Sequence, residues 1–441
     1  MSETYDWVFR NGTLMTPRGG VKADLGIRDG RIAVIDSLPP YSAWREDDIT
    51  GLHVLPGVID VHVHFREPGG EAREDMETGS RAAALGGVTA VFDMPNTNPA
   101  TTTPEALADK LDRARGRMRV DYAFFLGGTA DNAERLGEWE ALPGCAGVKI
   151  YMGSSTGSLL ADRDETVAAI LAHGRRPVVV HAEDDARLAD RYPLVANGAP
   201  VAMHGLWRDP ETAALATRRL LALAKAAGRA VHIAHVSTAE EMDLLRARPA
   251  GITVEVTPQH LTLTEPEAYE RLGTLAQMNP PLRDVRHRDA LWAALRDGRV
   301  DCIASDHAPH TLADKAKPYP QSPSGMPGVQ TLVPVMLDHV AAGRLSLGEF
   351  VRLSSTHPAR IFGLADRGRI EVGCRADLTI VDLKARRTIA AGDMASKCGW
   401  TPFDGMAVTG WPIYTVVGGR EAMHDGEIVG DPAGAPVEFA R

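Results

Sequence analysis

Cysteine is scarce in this chain, and long apolar runs are missing. Four cysteines stand among 441 residues, at positions 145, 302, 374 and 398, and none forms a CxxC pair. A disulfide framework or a cysteine-based zinc site is therefore not expected, and reduced thiols fit a reducing compartment. No apolar run reaches the roughly 20 residues that a membrane-spanning helix needs. The opening Met-Ser-Glu-Thr-Tyr has neither a basic segment nor an apolar stretch, so no secretory signal is expected. A cytoplasmic protein is the simplest reading. Positive charge is not in excess: 48 Lys and Arg face 58 Asp and Glu, a formal net charge of −10. Nucleic-acid binders usually present a basic face, so neither nucleic acid nor membrane is expected as a partner. An anionic ligand must be held by local cations rather than a global field. There is no internal repeat and no low-complexity tract, and no GxGxxG follows the first long apolar strand. That last absence weighs against a doubly wound dinucleotide-binding sheet.

What is present is an ordinary globular composition, 44% hydrophobic and 24% charged. The length exceeds the ~250–300 residues that one core usually serves, so a large domain with a smaller one is expected. Residues 1–56 read as short strands separated by turns such as Asn11-Gly12 and Asp29-Gly30, which are hairpin signals. From 57 to 363, continuous apolar strands alternate with Ala/Leu-rich helices. Strands are predicted at 58–62, 88–93, 120–126, 147–151, 177–181, 230–235, 252–257 and 301–305. Strands of this kind, each followed by a helix, imply a parallel sheet buried on both faces. Eight such units predict an α/β fold, a (β/α)8 TIM barrel. From 364 to 441 the pattern turns to short strands again. The two ends are expected to pair into one small composite β-sandwich, since domain termini often lie close together.

The chemistry-bearing residues stand at the predicted C-terminal ends of the barrel strands, where such barrels place active sites. On a strand with a period of two, Asp60, His62 and His64 share one face. An HxH pair is by itself weak evidence for a metal, equally at home on a half-exposed strand. It gains weight from Lys149 in Gly147-Val-Lys-Ile-Tyr151, His181 after Val178-Val-Val, His235 before Val-Ser-Thr, and Asp306 in Ser305-Asp-His307. Four histidines and a carboxylate suit Zn²⁺ or a similar divalent ion. Lys149 is either a solvated residue at a strand end or a buried amine with a lowered pKa. A neutral amine can add CO2 to give a carbamate, whose two oxygens can bridge two metals ~3.5–4 Å apart. A water between those metals would lose its proton near neutral pH. Asp306 can bind metal and act as general base, or merely cap the following helix. His232, an odd three residues before His235, is expected on the opposite strand face and structural. His260 and His307 remain open. His173, His287, His339, His357 and His424 are given no catalytic role.

These residues resemble the amidohydrolase superfamily and, within it, the dihydroorotase family, over nearly the whole chain. The similar motifs are His62-Val-His64-Phe-Arg66-Glu67-Pro68-Gly69, Asp93-Met-Pro-Asn96-Thr-Asn-Pro99, Met278-Asn279-Pro-Pro-Leu-Arg283 and Ser305-Asp306-His-Ala-Pro-His310. The resemblance implies reversible hydrolysis of the ring amide of (S)-dihydroorotate to N-carbamoyl-L-aspartate, a step of pyrimidine synthesis. It implies two Zn²⁺ per subunit held by His62, His64, Lys149, His181, His235 and Asp306, bridged by carboxylated Lys149 and a hydroxide. It further implies that Arg66, Asn96 and His310 hold the substrate carboxylate, with Asn279 near the ring. The Pro- and Gly-rich loop 311–330 would close over the site, Gly328 and Val329 offering backbone groups. Many single-chain bacterial dihydroorotases carry Asp in the bridging region. Lys149 makes this chain look like the Lys-bridged type, which weighs against a need for a partner transcarbamoylase. A homo-oligomer, dimer or tetramer, is expected. The alternatives are an allantoinase or hydantoinase, which share the metal set, and a non-catalytic dihydroorotase-like partner of aspartate transcarbamoylase, which would have lost ligands. A metal-storage protein is disfavoured by the substrate-type residues.

Overall fold

The computed structural model describes residues 4–154 and 159–440. Five short strands open the chain: β1 (Tyr5–Thr16), β2 (Gly19–Arg28), β3 (Arg31–Asp36), β4 (Ala43–Asp48) and β5 (His53–Pro56). Eight parallel strands follow: β6 (Val58–Val63), β7 (Val88–Asp93), β8 (Asp121–Gly127), β9 (Cys145–Tyr151), β10 (Val178–His181), β11 (Val231–Ile233), β12 (Ile252–Val256) and β13 (Cys302–Ile303). They are hydrogen-bonded in chain order, and a parallel bridge between Val63 and His307 closes the first strand on the last. This is the TIM barrel with its attached sheet that the alternation of apolar strands and helices predicts.

Alternation along each strand divides the core into two. Outward residues such as Val148, Ile150, Val178, Val180, Val254 and Val256 pack against the helices. Inward residues such as Ile59, Phe92, Phe125, Ala146, Val179 and Cys302 fill the barrel. Phe362 and Phe439 plug its N-terminal end, their rings 5.3 and 5.7 Å from that of Phe92. The lower barrel is thus packed mainly with apolar side chains, and most inward polar side chains stand nearer the upper end.

The last strands are β14 (Leu378–Thr388), β15 (Ala407–Val417), β16 (Arg420–His424) and β17 (Glu427–Ile428). They join the first five in one nine-stranded sheet through antiparallel pairing of β14 with β5, Leu378 opposite Pro56. Between β14 and β15 the chain leaves this sheet: Cys398 and Trp400 pack with Tyr269, Met278 and Met326 beside the barrel mouth. Trp400 Nε1 donates to His310 O at 2.8 Å.

A buried ion cluster fastens the sheet to the foot of the barrel. Arg367 donates to Asp121, at the start of β8, at 2.6 Å and to Asp377 at 2.9 Å. Arg375 meets the same two carboxylates at 2.9 and 3.2 Å. Removing one partner of such a cluster strands buried charge. Arg367→Met is therefore expected to cost about 3–5 kcal/mol of stability, read as a lowered unfolding midpoint, with catalysis at low temperature unaffected.

Candidate active site

β9 shows how the sequence aims one side chain into the site. Val148 and Ile150 face the helices, so Lys149 and Tyr151 between and beyond them point inward. The Lys149 ammonium is fully buried, and its Nζ has no hydrogen-bond partner among the described residues. Burial pushes its pKa down to about 8. Its reading as a solvated surface residue is thereby excluded.

His62 and His64 leave β6 with their outer nitrogens converging on one carboxylate oxygen. Asp306 Oδ1 lies 3.3 Å from His62 Nε2 and 3.2 Å from His64 Nε2. The opposite nitrogens are fixed: His62 Nδ1 donates to Glu255 Oε1 at 2.9 Å, and His64 Nδ1 to Asn96 Oδ1 at 2.7 Å. Both imidazoles therefore present Nε2 lone pairs to the same point. His181 Nε2 is taken by Glu183 at 2.8 Å, which turns Nδ1 toward His235 Nε2 at 3.1 Å. Burial holds the His64 imidazole down to about 3 and lowers His181 and His235 as well. Neutral rings are the form that binds metal. Burial raises the Asp306 carboxyl, but His62, His64 and Lys149 together outweigh it and hold it below its ordinary value. Ligand atoms of His62, His235 and Asp306 all lie within 4.8 Å of one another. Lone pairs that converge on one another, beside a buried amine with nothing to bond, fit a divalent metal centre.

Above this group lies a cavity lined by Arg66, Asn96, Tyr151, Asn279, Ser324 and Gly325 together with the histidines and Asp306. A wider outer pocket, lined by Leu188, Tyr192 and Trp207, shares Asn279 and Ser324 with it. Arg66 takes a left-handed backbone, φ 61°, and its guanidinium is buried. Its Nε donates to Pro309 O at 3.2 Å, and Nη2 lies 3.3 Å from His310 Nε2. No acidic side chain forms an ion pair with it among the described residues. His310 Nε2 also lies 3.0 Å from Ser324 O, which requires its hydrogen, and Nδ1 is buried without a partner among the described residues.

The structure thus brings all ten expected residues together, and it corrects three readings around them. His232 is not on the opposite face. His235 has a positive φ of 35°, so the chain kinks after Ile233 and the period of two breaks; His232 and His235 both reach the interior. His232 Nε2 lies 3.2 Å from Glu255 Oε2, beneath the site. Gly328 and Val329 do not face the cavity, because their N–H groups point at His307 Nδ1, at 3.0 and 3.5 Å. Ser324 and Gly325 take that place. The eighth strand is shorter than 301–305: Ser305 N donates to the Asp60 side chain at 3.0 Å instead of to the ladder.

Three buried residues were missed by the sequence reading. Glu255 orients His62 and accepts from His235 N at 3.0 Å. Glu183 orients His181 and is itself gripped by Arg208, at 2.5 Å from Nη2. Glu255 occupies an alternate position of β12, which is a legible signal for an inward charge, whereas Glu183 lies two residues beyond the end of β10. Arg208 lies in a loop and carries no such signal. His260 and His307 prove to be scaffold: His260 Nε2 meets Pro280 O at 3.1 Å, and His307 Nε2 meets Glu74 at 3.3 Å.

Residues 53–422 match the amidohydrolase family. The chain belongs to the amidohydrolase family. This amidohydrolase is therefore a hydrolytic enzyme. It is 41% identical over 386 residues to a dihydroorotase of Halobacterium salinarum, covering 85% of this chain and 87% of that one. It is 38% identical to a dihydroorotase of Geobacillus kaustophilus, covering 95% and 98%. Among solved structures it is similar to the L-hydantoinase (dihydropyrimidinase) of Arthrobacter aurescens, with a TM-score of 0.93, 30% identity and 99% of each chain covered. Among the described residues, no helix of this amidohydrolase is long and apolar enough to cross a membrane.

Proposed function

We propose that this amidohydrolase is a dihydroorotase that hydrolyses the ring amide of (S)-dihydroorotate to N-carbamoyl-L-aspartate, reversibly, in pyrimidine synthesis. The observation that carries the reading is Arg66, a buried guanidinium at the cavity wall with no acidic partner among the described residues. A planar guanidinium pairs with a carboxylate through two hydrogen bonds, and dihydroorotate brings that carboxylate on its ring. The long dihydroorotase relatives support the same reading. Four buried, unpaired cysteines are consistent with placing the enzyme in the cytoplasm.

In this proposal His62, His64, His181, His235, Asp306 and carboxylated Lys149 hold two zinc ions. Bound there, the metals supply Lewis acidity, activating water at neutral pH and polarising a ring carbonyl. Arg66, with the amide of Asn96 and the His310 ring beside it, takes the substrate carboxylate. Asn279 contacts the ring, its own carbonyl held 2.9 Å from His204 Nε2. Arg66 and Asp306 line the same cavity, so a ring anchored by its carboxylate would bring its amide toward Asp306. Asp306 accepts a proton from the attacking water and returns it to the ring nitrogen as the carbon–nitrogen bond breaks. The water oxygen ends on the new carboxylate, one water proton ends on the carbamoyl nitrogen and the other is released to solvent as the new carboxyl ionises, so the step balances.

Arg66→Lys is expected to raise KM for dihydroorotate roughly 10- to 100-fold, as a charge-assisted hydrogen bond is worth about 1.5–3 kcal/mol. Metal content should stay at the wild-type level; a metal-free variant would sink this division of roles. The whole-chain similarity to a hydantoinase favours a second reading, a hydantoinase-type cyclic amidohydrolase. One panel separates the two: dihydroorotate, hydantoin, dihydrouracil and allantoin, with metal analysis of the same sample. Turnover of dihydroorotate with allantoin untouched is expected. Turnover of the uncharged rings with none of dihydroorotate overturns the proposal.

A further inference from the structure

Lys315 ends the short helix Leu312–Lys315, in the segment that follows the eighth barrel strand, and is 1% exposed. Its Nζ donates to three backbone carbonyls: Gln277 at 3.0 Å, Pro323 at 2.9 Å and Gly325 at 3.1 Å. An ammonium carries three protons and no acceptor, so each proton has its partner. A neutral amine would leave one carbonyl short. No acidic side chain pairs with this cation among the described residues, and burial alone pushes its pKa down to about 7. A lone buried charge is costly, and stability of the loop alone would be served as well by neutral donors.

The three carbonyls are placed where the pocket is made. Pro323 and Gly325 flank Ser324, whose carbonyl lies 3.0 Å from His310 Nε2. Gln277 precedes Asn279 by two residues. The Gln277 side chain adds to the same junction, donating to Ser322 O at 2.9 Å and Ser324 Oγ at 3.0 Å. Gly325 N donates back to Gln277 O at 2.9 Å. The segment carrying Asn279 and the one carrying Ser324 are thereby tied into one body around a single cation. The charges of Arg66, Lys315 and Arg73 all act on His310, after burial itself, to keep it neutral. Arg73 is itself paired with Asp314 at 3.4 Å, which leaves Arg66 and Lys315 as the buried cations on this side.

We propose that Lys315 is a positioning residue for recognition of the substrate carboxylate: it fixes the backbone that orients His310 and Asn279, and its charge reinforces that of Arg66. The inference rests on the dihydroorotase reading. It makes Lys315 a determinant of preference for charged over uncharged rings, acting without touching the ring.

The test measures binding of orotate and of uracil, planar rings with and without the carboxylate, to the full-length protein by calorimetry. Wild type, Lys315→Met and Lys315→Arg are compared, with metal content and the unfolding midpoint recorded for each. Wild type should prefer orotate. Lys315→Met should lose at least about threefold of that preference through weaker orotate binding, with KM for dihydroorotate raised more than kcat is lowered, and Lys315→Arg should recover it. A loss of preference below that threshold, equal weakening of both rings, or an Arg variant that behaves like the Met variant overturns the proposal. If Lys315→Met does not fold, Lys315→Gln, which removes the charge and keeps two donors, is read by the same criterion. A wild type that binds both rings equally overturns the dihydroorotase reading itself, a result distinct from a failure of Lys315 alone.

Discussion

Lys149→Ala is expected to fold normally, to retain little of its metal and to lose hydrolysis by roughly 10³-fold or more, at least about 4 kcal/mol of transition-state stabilisation. The Lys149 side chain is fully buried and its amine bonds to nothing among the described residues, so its removal breaks no hydrogen bond of the fold. What it removes is the group proposed to join two metals. Burial brings the amine down to about 8, and only the neutral amine reacts with CO2. Below that pH the ammonium dominates and resists carboxylation; above it the carbamate forms readily. Metal reconstitution of the stripped wild type should therefore be more complete with bicarbonate at pH 9 than at pH 6. Lys149→Ala should show no such dependence. The vacated space leads to the site, and a small carboxylic acid such as propionate can occupy it with an oxygen pair in place of the carbamate. Partial recovery of metal and rate with propionate is the expected signature. A variant that keeps two metals per chain and the full rate would refute the bridging role.

Much of the site was legible because barrel strands keep a strict period of two. Lys149 and His181 follow valines on continuous apolar strands, and their inward aim follows from counting. Glu255 obeys the same rule and was open to the same count: Thr253, Glu255 and Thr257 alternate with outward Val254 and Val256. Counting fails where the backbone leaves the strand. His235, Arg66 and Asp306 all have positive φ, 35°, 61° and 44°. Such conformations are uncommon for residues other than glycine and gather at functional sites. Each of these residues turns its side chain into the cavity just beyond a strand end, and no periodicity announces the turn. The eighth strand illustrates the same limit: side-chain and bridge contacts to β6 replace its ladder, so its predicted length was too great. Arg208 and Lys315 were invisible for another reason. They lie in connecting segments, where sequence gives neither burial nor partner. The excursion of Cys398 and Trp400 to the barrel mouth likewise depends on tertiary packing with Tyr269 and Met278, not on any local pattern.

Asp306→Asn is expected to lower kcat by about 10²–10⁴-fold, the range for loss of a positioned general base, with a much smaller change in KM. The substitution keeps the shape of the side chain but takes away the charge and the ability to accept a proton from water. Substrate binding is assigned to Arg66, His310, Asn96 and Asn279, none of which loses its partner by the change. In the wild type, burial raises the carboxyl but His62 and His64 hold it below its ordinary value, so it is ionised and ready to accept before the ring arrives. The same group, once protonated, must protonate the leaving nitrogen; in ring closure it runs the two transfers in reverse. A catalyst cannot move the equilibrium between dihydroorotate and carbamoyl-aspartate. Hydrolysis and ring closure, each measured as kcat/KM at one pH, must then fall by the same factor. Loss confined to binding, with kcat preserved in both directions, would move the base elsewhere and leave Asp306 as a ligand alone. A deep fall in kcat with orotate still bound at near wild-type affinity would fix proton transfer on Asp306 and separate it from the carboxylate pole that Arg66 builds.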